Sequence, residues 1–141
     1  MKFFKFATIA LSALVSTAAL AHTDEYLDTI SGAHGGQLRM AGPSHYEMVI
    51  TPTALQIYVT DHEGKPTSVT GATANATVLS GTQKQQIELH PKGENLLEGA
   101  GTFTPDQPVK AVVKVQLAGQ EAQQTLFDSS KHHPADEHHG H

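Results

Sequence analysis

Val109-Lys110-Ala111-Val112-Val113-Lys114-Val115-Gln116-Leu117 sets Val109, Ala111, Val113, Val115 and Leu117 against Lys110, Lys114 and Gln116 at alternate positions. A period of two sends successive side chains to opposite faces of a strand, so this stretch has one buried and one mostly wet face, as antiparallel sheets do. Working outward, the same kind of short run recurs at Gln37–Met40, Tyr46–Thr51, Leu55–Thr60, Thr73–Leu79, Gln85–Leu89, Leu96–Phe103 and Ala122–Phe127. Pro52-Thr53, Ser80-Gly81-Thr82, Pro91-Lys92-Gly93-Glu94-Asn95 and Ala118-Gly119 separate them, and these are turn-forming residues. No helical period competes between Gly35 and Phe127. The predicted fold is all-β, a small immunoglobulin-like antiparallel sandwich of seven or eight strands over residues 34–128.

The first 21 residues read as an export signal. Lys2 and Lys5 form a basic start, Ala7 to Leu20 is an apolar run, and Ala19-Leu20-Ala21 is a small-x-small cleavage site. Cleavage after Ala21 leaves 120 of the 141 residues, enough for one domain with a modest core. A soluble periplasmic protein is expected, since no later segment approaches the length of apolar residues a membrane span requires. His22 to Ala33 carries only Tyr26, Leu27 and Ile30 as sizeable apolar residues and is expected to be a short helical turn or an N-terminal arm. At the other end, residues 129–141 end in Lys-His-His-Pro-Ala-Asp-Glu-His-His-Gly-His, with no apolar residue larger than alanine. Such a segment cannot bury enough surface to pack and is expected to be a disordered His-rich tail.

Removing Lys2 and Lys5 from nine basic residues leaves seven against fourteen acidic ones, a mature net charge of −7 with histidine neutral. That balance argues against nucleic acid or an anionic membrane as a partner and favours cations. The chain has ten histidines and no cysteine, so disulfides and thiolate metal sites are excluded while imidazole ligands are plentiful. No Gly-x-Ser-x-Gly turn or phosphate-binding glycine loop is present, so a serine or cysteine hydrolase is not expected.

The sharpest grouping lies in the first predicted hairpin. If Tyr46, Met48 and Ile50 share the core face with Leu55, Ile57 and Val59, then position 50 opposes 55 and position 45 opposes 60. His45 and Glu47 then stand on the opposite face, with His62 one diagonal step from His45. Imidazole nitrogen with carboxylate oxygen is a donor set that zinc or copper(II) accepts, with Asp61 or water completing it. The same residues also suit a solvated edge and an Asp-His-Glu-Gly turn. His34, before Gly35-Gly36, is a better additional ligand than His90. Met40 and Met48 carry thioethers, but Met48 falls on the core face. At the predicted mature N-terminus, His22 can chelate copper(II) through its amine and its ring. In the tail, His132, His133, His138, His139 and His141 can take borderline metals weakly and in several arrangements.

His34-Gly35-Gly36, Gly42-Pro43-Ser44-His45-Tyr46-Glu47 and Tyr58-Val59-Thr60-Asp61-His62-Glu63-Gly64-Lys65-Pro66 resemble a small periplasmic domain. It is found alone or at the N-terminus of adaptor subunits of heavy-metal efflux pumps of the resistance-nodulation-division type. The resemblance covers roughly His34 to Phe127, and Ser44 stands where a bulky aromatic is expected before the histidine. It implies metal binding or delivery linked to efflux of copper, zinc, nickel or cobalt, with His34, His45, Glu47 and His62 as carried-over positions. It also implies a periplasmic efflux component as partner. Since no adaptor hairpin or lipoyl-like segment follows, the expected function is that of a soluble divalent-metal buffer or chaperone. Two other classes fit less of the chain: a sandwich that recruits a partner by strand addition with incidental metal binding, and a copper enzyme built on His22.

Overall fold

A computed structural model describes residues 17–134, with side chains described from residue 23 onward. Helix α1 (Thr17–Asp28) is followed by eight strands: β1 (Gln37–Ala41), β2 (Ser44–Thr51), β3 (Ala54–Asp61), β4 (Thr73–Ser80), β5 (Gln83–Pro91), β6 (Leu96–Ala100), β7 (Lys110–Gln116) and β8 (Gln123–Asp128). A 3-10 turn, Ser129–Lys131, ends the described structure together with residues 132–134. Every strand pairing is antiparallel, in the spatial order β1-β2-β3-β6-β5-β4-β7-β8. The fold is therefore all-β, as the alternation predicts. No helix among the described residues is long and apolar enough to cross a membrane.

The apolar period decides which face goes inward. In β7, Ala111, Val113 and Val115 are fully buried while Lys110, Lys114 and Gln116 are exposed. In β3, Leu55, Ile57 and Val59 are equally buried, and Tyr46 and Met48 meet them from β2. Phe103, Phe127 and Val69 join the core, as do Val78, Ile87, Leu89 and Leu97, and it is mainly aliphatic. Burial pushes the Tyr46 phenol up to about 12, because the phenolate has no water to solvate it there. At roughly 25 cal/mol per Å2 of apolar surface removed from water, this cluster is the main favourable contribution to folding.

The strands form one hydrogen-bonded sheet that rolls into a barrel-like sandwich. Strand β5 turns the corner: residues 83–89 pair with β4, and His90 and Pro91 pair with Glu98 and Leu97 of β6. Gly99 permits that approach. A Cβ there would lie 2.3 Å from the Glu88 carbonyl oxygen and 2.4 Å from Ile87 Cγ2. The two sheet edges, β1 and β8, are bridged by side chains rather than by a ladder. The Arg39 Nε–H donates to the Leu126 carbonyl at 3.1 Å, and Gln37 Nε2 donates to that of Asp128 at 2.8 Å.

Helix α1 covers this seam. Asp28 is buried and accepts from Arg39 Nη1 at 2.9 Å and from Gln37 Nε2 at 2.8 Å, so the inward-facing polar pair on β1 has its counter-charge. The expected N-terminal arm is thus helical as far as Asp28, and α1 runs across the predicted cleavage point; cleavage there would leave its His22–Asp28 part.

Every expected strand shifts by one to three residues at one end or both, and the shifts late in the chain matter most. The strand read as Leu96–Phe103 ends at Ala100, after which the chain holds on through single bonds from the Gly101 and Phe103 amides to the Thr53 and Pro52 carbonyls. The strand read as Ala122–Phe127 runs Gln123–Asp128. The expected tail begins later than residue 129, because Ser129 is held by the residue before β7: its amide donates to the Val109 carbonyl, and its hydroxyl accepts from the Val109 amide at 2.8 Å. His133 follows, its amide donating to the Asp28 carbonyl. Polar main-chain partners, not apolar burial, order this piece.

Candidate functional site

The β2–β3 register is the one the apolar pattern predicts, with Ile50 opposite Leu55 and His45 opposite Thr60. Directly opposed residues of an antiparallel pair share a face. The outer face of β1-β2-β3 consequently carries two adjacent rows: Met40, His45 and Thr60, then Leu38, Glu47 and Tyr58. His62 lies one residue beyond β3.

The first row holds a histidine pair. His62 Nδ1 and His45 Nε2 are 3.0 Å apart, the rings meeting edge to face at 89° with centroids 4.7 Å apart. The other nitrogen of His62, Nε2, lies 3.2 Å from the Gly42 carbonyl in the β1–β2 turn. A carbonyl can only accept, so His62 Nε2 carries a proton; in the neutral ring Nδ1 then offers a lone pair and His45 Nε2–H donates to it. Gly42 thereby selects the tautomer and aims Nδ1, as a backbone carbonyl does for a metal-binding imidazole. Burial, and then the neighbouring His62, hold the His45 pKa below 6.5, with Asp61 pulling weakly the other way. Both causes favour the neutral ring that can ligate.

Two nitrogens each about 2.0–2.1 Å from a tetrahedral ion are about 3.3 Å apart, and about 2.9 Å in cis square-planar positions. The observed 3.0 Å separation falls between the two. For both nitrogens to face one ion, a ring would have to turn off the N···N line so that the lone pairs converge, and the His45 proton would have to move from Nε2 to Nδ1.

Glu47 behaves differently from the expectation that groups it with His45 and His62. It is buried, and its oxygens are occupied: Oε2 accepts from the amides of His34 and Gly36 at 2.8 Å each, and Oε1 lies 3.0 Å from His34 Nδ1. The segment after α1 lies over it. A Cβ on Gly36 would come within 2.3 Å of the Met48 carbonyl oxygen, so only glycine lets the backbone pass this close. His34 stacks on Tyr58 at 3.6 Å between ring centroids and 10° between planes. Glu47 is the carboxylate that orients His34, leaving His34 Nε2 as the outward nitrogen. Strand alternation alone places Glu47 outward with His45 and does not reveal the cover. The signal was Gly32-Ala33-His34-Gly35-Gly36, too poor in side chains to pack on itself, above an outward Tyr58.

Asp61 is also engaged, its Oδ1 accepting from the Glu63 and Lys65 amides in the turn, which lowers its pKa, the Lys65 bond most. With Glu47 and Asp61 occupied in this way, no group of three or more His, Asp or Glu side chains among the described residues is arranged to hold a metal ion. What the fold brings together is two pairs, His45 with His62 and His34 with Glu47. His90 stands on β5, 3.9 Å from Glu88 and outside both pairs. His132 Nε2 lies 3.3 Å from Ser31 Oγ, and its Nδ1 is buried without a hydrogen-bond partner among the described residues. The His22 side chain and His138, His139 and His141 lie outside what the structure describes.

No family model matches the chain, and no curated protein matches it. Among solved structures, the chain is similar to a DUF4426 family protein from Pseudomonas aeruginosa PAO1, at 16% identity and a TM-score of 0.44. The likeness covers 65% of this chain and 93% of that one.

Proposed function

We propose that this protein binds a divalent transition metal, copper or zinc before nickel or cobalt, on the outer face of β1-β2-β3. It would act as a periplasmic buffer or carrier. The observation that carries the reading is the His45–His62 pair, with facing ring nitrogens 3.0 Å apart and the far nitrogen of His62 on a backbone carbonyl. A histidine pair selected only for solubility has no need of that orientation. His34, aimed outward by a buried carboxylate one row away, adds a second imidazole prepared in the same manner. The tail histidines supply further, weaker equivalents that raise the local ion concentration. The link to heavy-metal efflux, and to a pump component as recipient, rests on the resemblance of the His34–Pro66 motifs. Strand addition is the less supported reading, because β8 carbonyls at the seam already accept from Arg39 and Gln37 and α1 lies against it.

Calorimetric titration with zinc and copper(II) tests the proposal on the mature chain, on a chain ending at Pro134 and on His62→Ala. One equivalent should survive loss of the tail and weaken about tenfold or more in His62→Ala. Binding that vanishes with the tail and ignores His62 would refute a site on the barrel.

A further inference from the structure

The His45–His62 pair supplies two donors, and the β1–β2 register points to a third. Met40 is the residue directly opposite His45. Opposed Cβ atoms on one face of an antiparallel pair are about 4.5–5.5 Å apart, and the flexible three-torsion methionine side chain spans that gap. Met40 is 40% exposed, so the core does not claim it. Its two β1 neighbours, Arg39 and Ala41, are buried on the other face. Of the three methionines in the chain, Met1 starts the expected export signal and Met48 is buried in the core, which leaves Met40 as the thioether on the histidine face.

We propose that Met40 Sδ, His45 Nε2 and His62 Nδ1 form a three-coordinate site whose preferred ion is copper(I). This deepens the metal-binding proposal and rests on its histidine pair, placing copper in its singly charged state ahead of the divalent ions. The donor chemistry sets the preference. A thioether is a soft, uncharged donor that gives little to zinc and much to copper(I), and a chain without cysteine has no thiolate to offer in its place. Three neutral donors leave the site's charge equal to the ion's, which a singly charged ion tolerates better than a doubly charged one at a partly desolvated surface. A thioether also resists the disulfide exchange that would disable a thiol in an oxidising compartment. His62 and Gly42 keep their bond throughout, so the ion is held at the rim where β1 turns into β2, open on the solvent side for transfer.

The test compares wild type with Met40→Leu and His62→Ala. Copper(I) affinity is measured anaerobically by competition with a chromophoric chelator, and zinc affinity in parallel. Met40→Leu should lower copper(I) affinity about tenfold or more while leaving zinc within about twofold; His62→Ala should weaken both. X-ray absorption of the wild-type copper(I) complex, which needs no variant to fold, should show one sulfur scatterer with two nitrogens. Unchanged copper(I) affinity in Met40→Leu, or a sulfur-free spectrum, overturns the thioether ligand, and if His62→Ala still weakens binding the histidine-pair reading stands without it. Indifference of both metals to His62→Ala overturns the two readings together.

Discussion

At the scale of single residues, the decisive contact is the one between His62 Nε2 and the Gly42 carbonyl, because it settles which nitrogen faces His45. The proximity of the two histidines was legible in the sequence: the alternation of Tyr46, Met48 and Ile50 against Leu55, Ile57 and Val59 admits one register, and that register brings position 62 beside position 45. The tautomer was not, since it depends on where a hairpin turn leaves a carbonyl. Nor was the burial of Glu47, whose cover comes from a segment eleven to fifteen positions earlier that no strand period describes. The His45 pKa gives a residue-scale test. Burial and then His62 lower it from 6.5, so the unfolded chain binds that proton first as the pH drops. The pair's contribution to stability is therefore complete above about pH 6.5 and is lost as the pH falls through the lowered value. In a proton NMR titration of metal-free protein, His62→Ala should raise the His45 midpoint towards 6.5 without reaching it, because burial, the larger cause, remains. An unmoved midpoint would mean that the two rings do not sense each other in solution.

At the scale of elements, α1 and the end of β8 meet over the seam that β1 leaves open. Gln37 and Arg39 occupy the inward positions of β1 opposite Met48 and Tyr46, where apolar residues would be read from alternation alone. The reason is the seam itself: two sheet edges that do not pair need donors for their carbonyls, and Asp28 then neutralises the guanidinium. A sequence reading could locate β1 but not explain its polarity, because the partner lies in a helix that a signal-like run obscures. The same physics orders Ser129 to His133, which composition alone assigns to the tail. Both side chains of the Arg39–Asp28 pair are 5% exposed, so removal of one strands a buried charge. Arg39→Ala should cost about 3–5 kcal/mol in urea unfolding with an unchanged slope, and α1 amides should lose protection from hydrogen exchange. A loss under about 1 kcal/mol would show that the seam is held by something else.

At the scale of the whole molecule, the barrel separates two populations of histidine. His34, His45 and His62 stand on one outer face of an aliphatic barrel, where strand register, the Gly42 carbonyl and the Glu47 carboxylate set their positions. His138, His139 and His141 lie at the C-terminal end, where the sequence offers nothing to pack. All-β architecture was legible because eight short alternating runs leave no other fold class. The roll of the sheet through β5 was not, since it hangs on Gly99 admitting the Glu88 backbone. The central claim is that the face, not the tail, defines a specific site. Proton–nitrogen correlation spectra of the histidine rings, recorded as zinc is added to the mature chain, test it directly. The account predicts that His62 Nδ1 and His45 Nε2 shift together within the first equivalent, with His62 Nε2 still protonated, before the tail rings respond. Tail rings that respond first, with the His45–His62 pair unmoved at one equivalent, would contradict it.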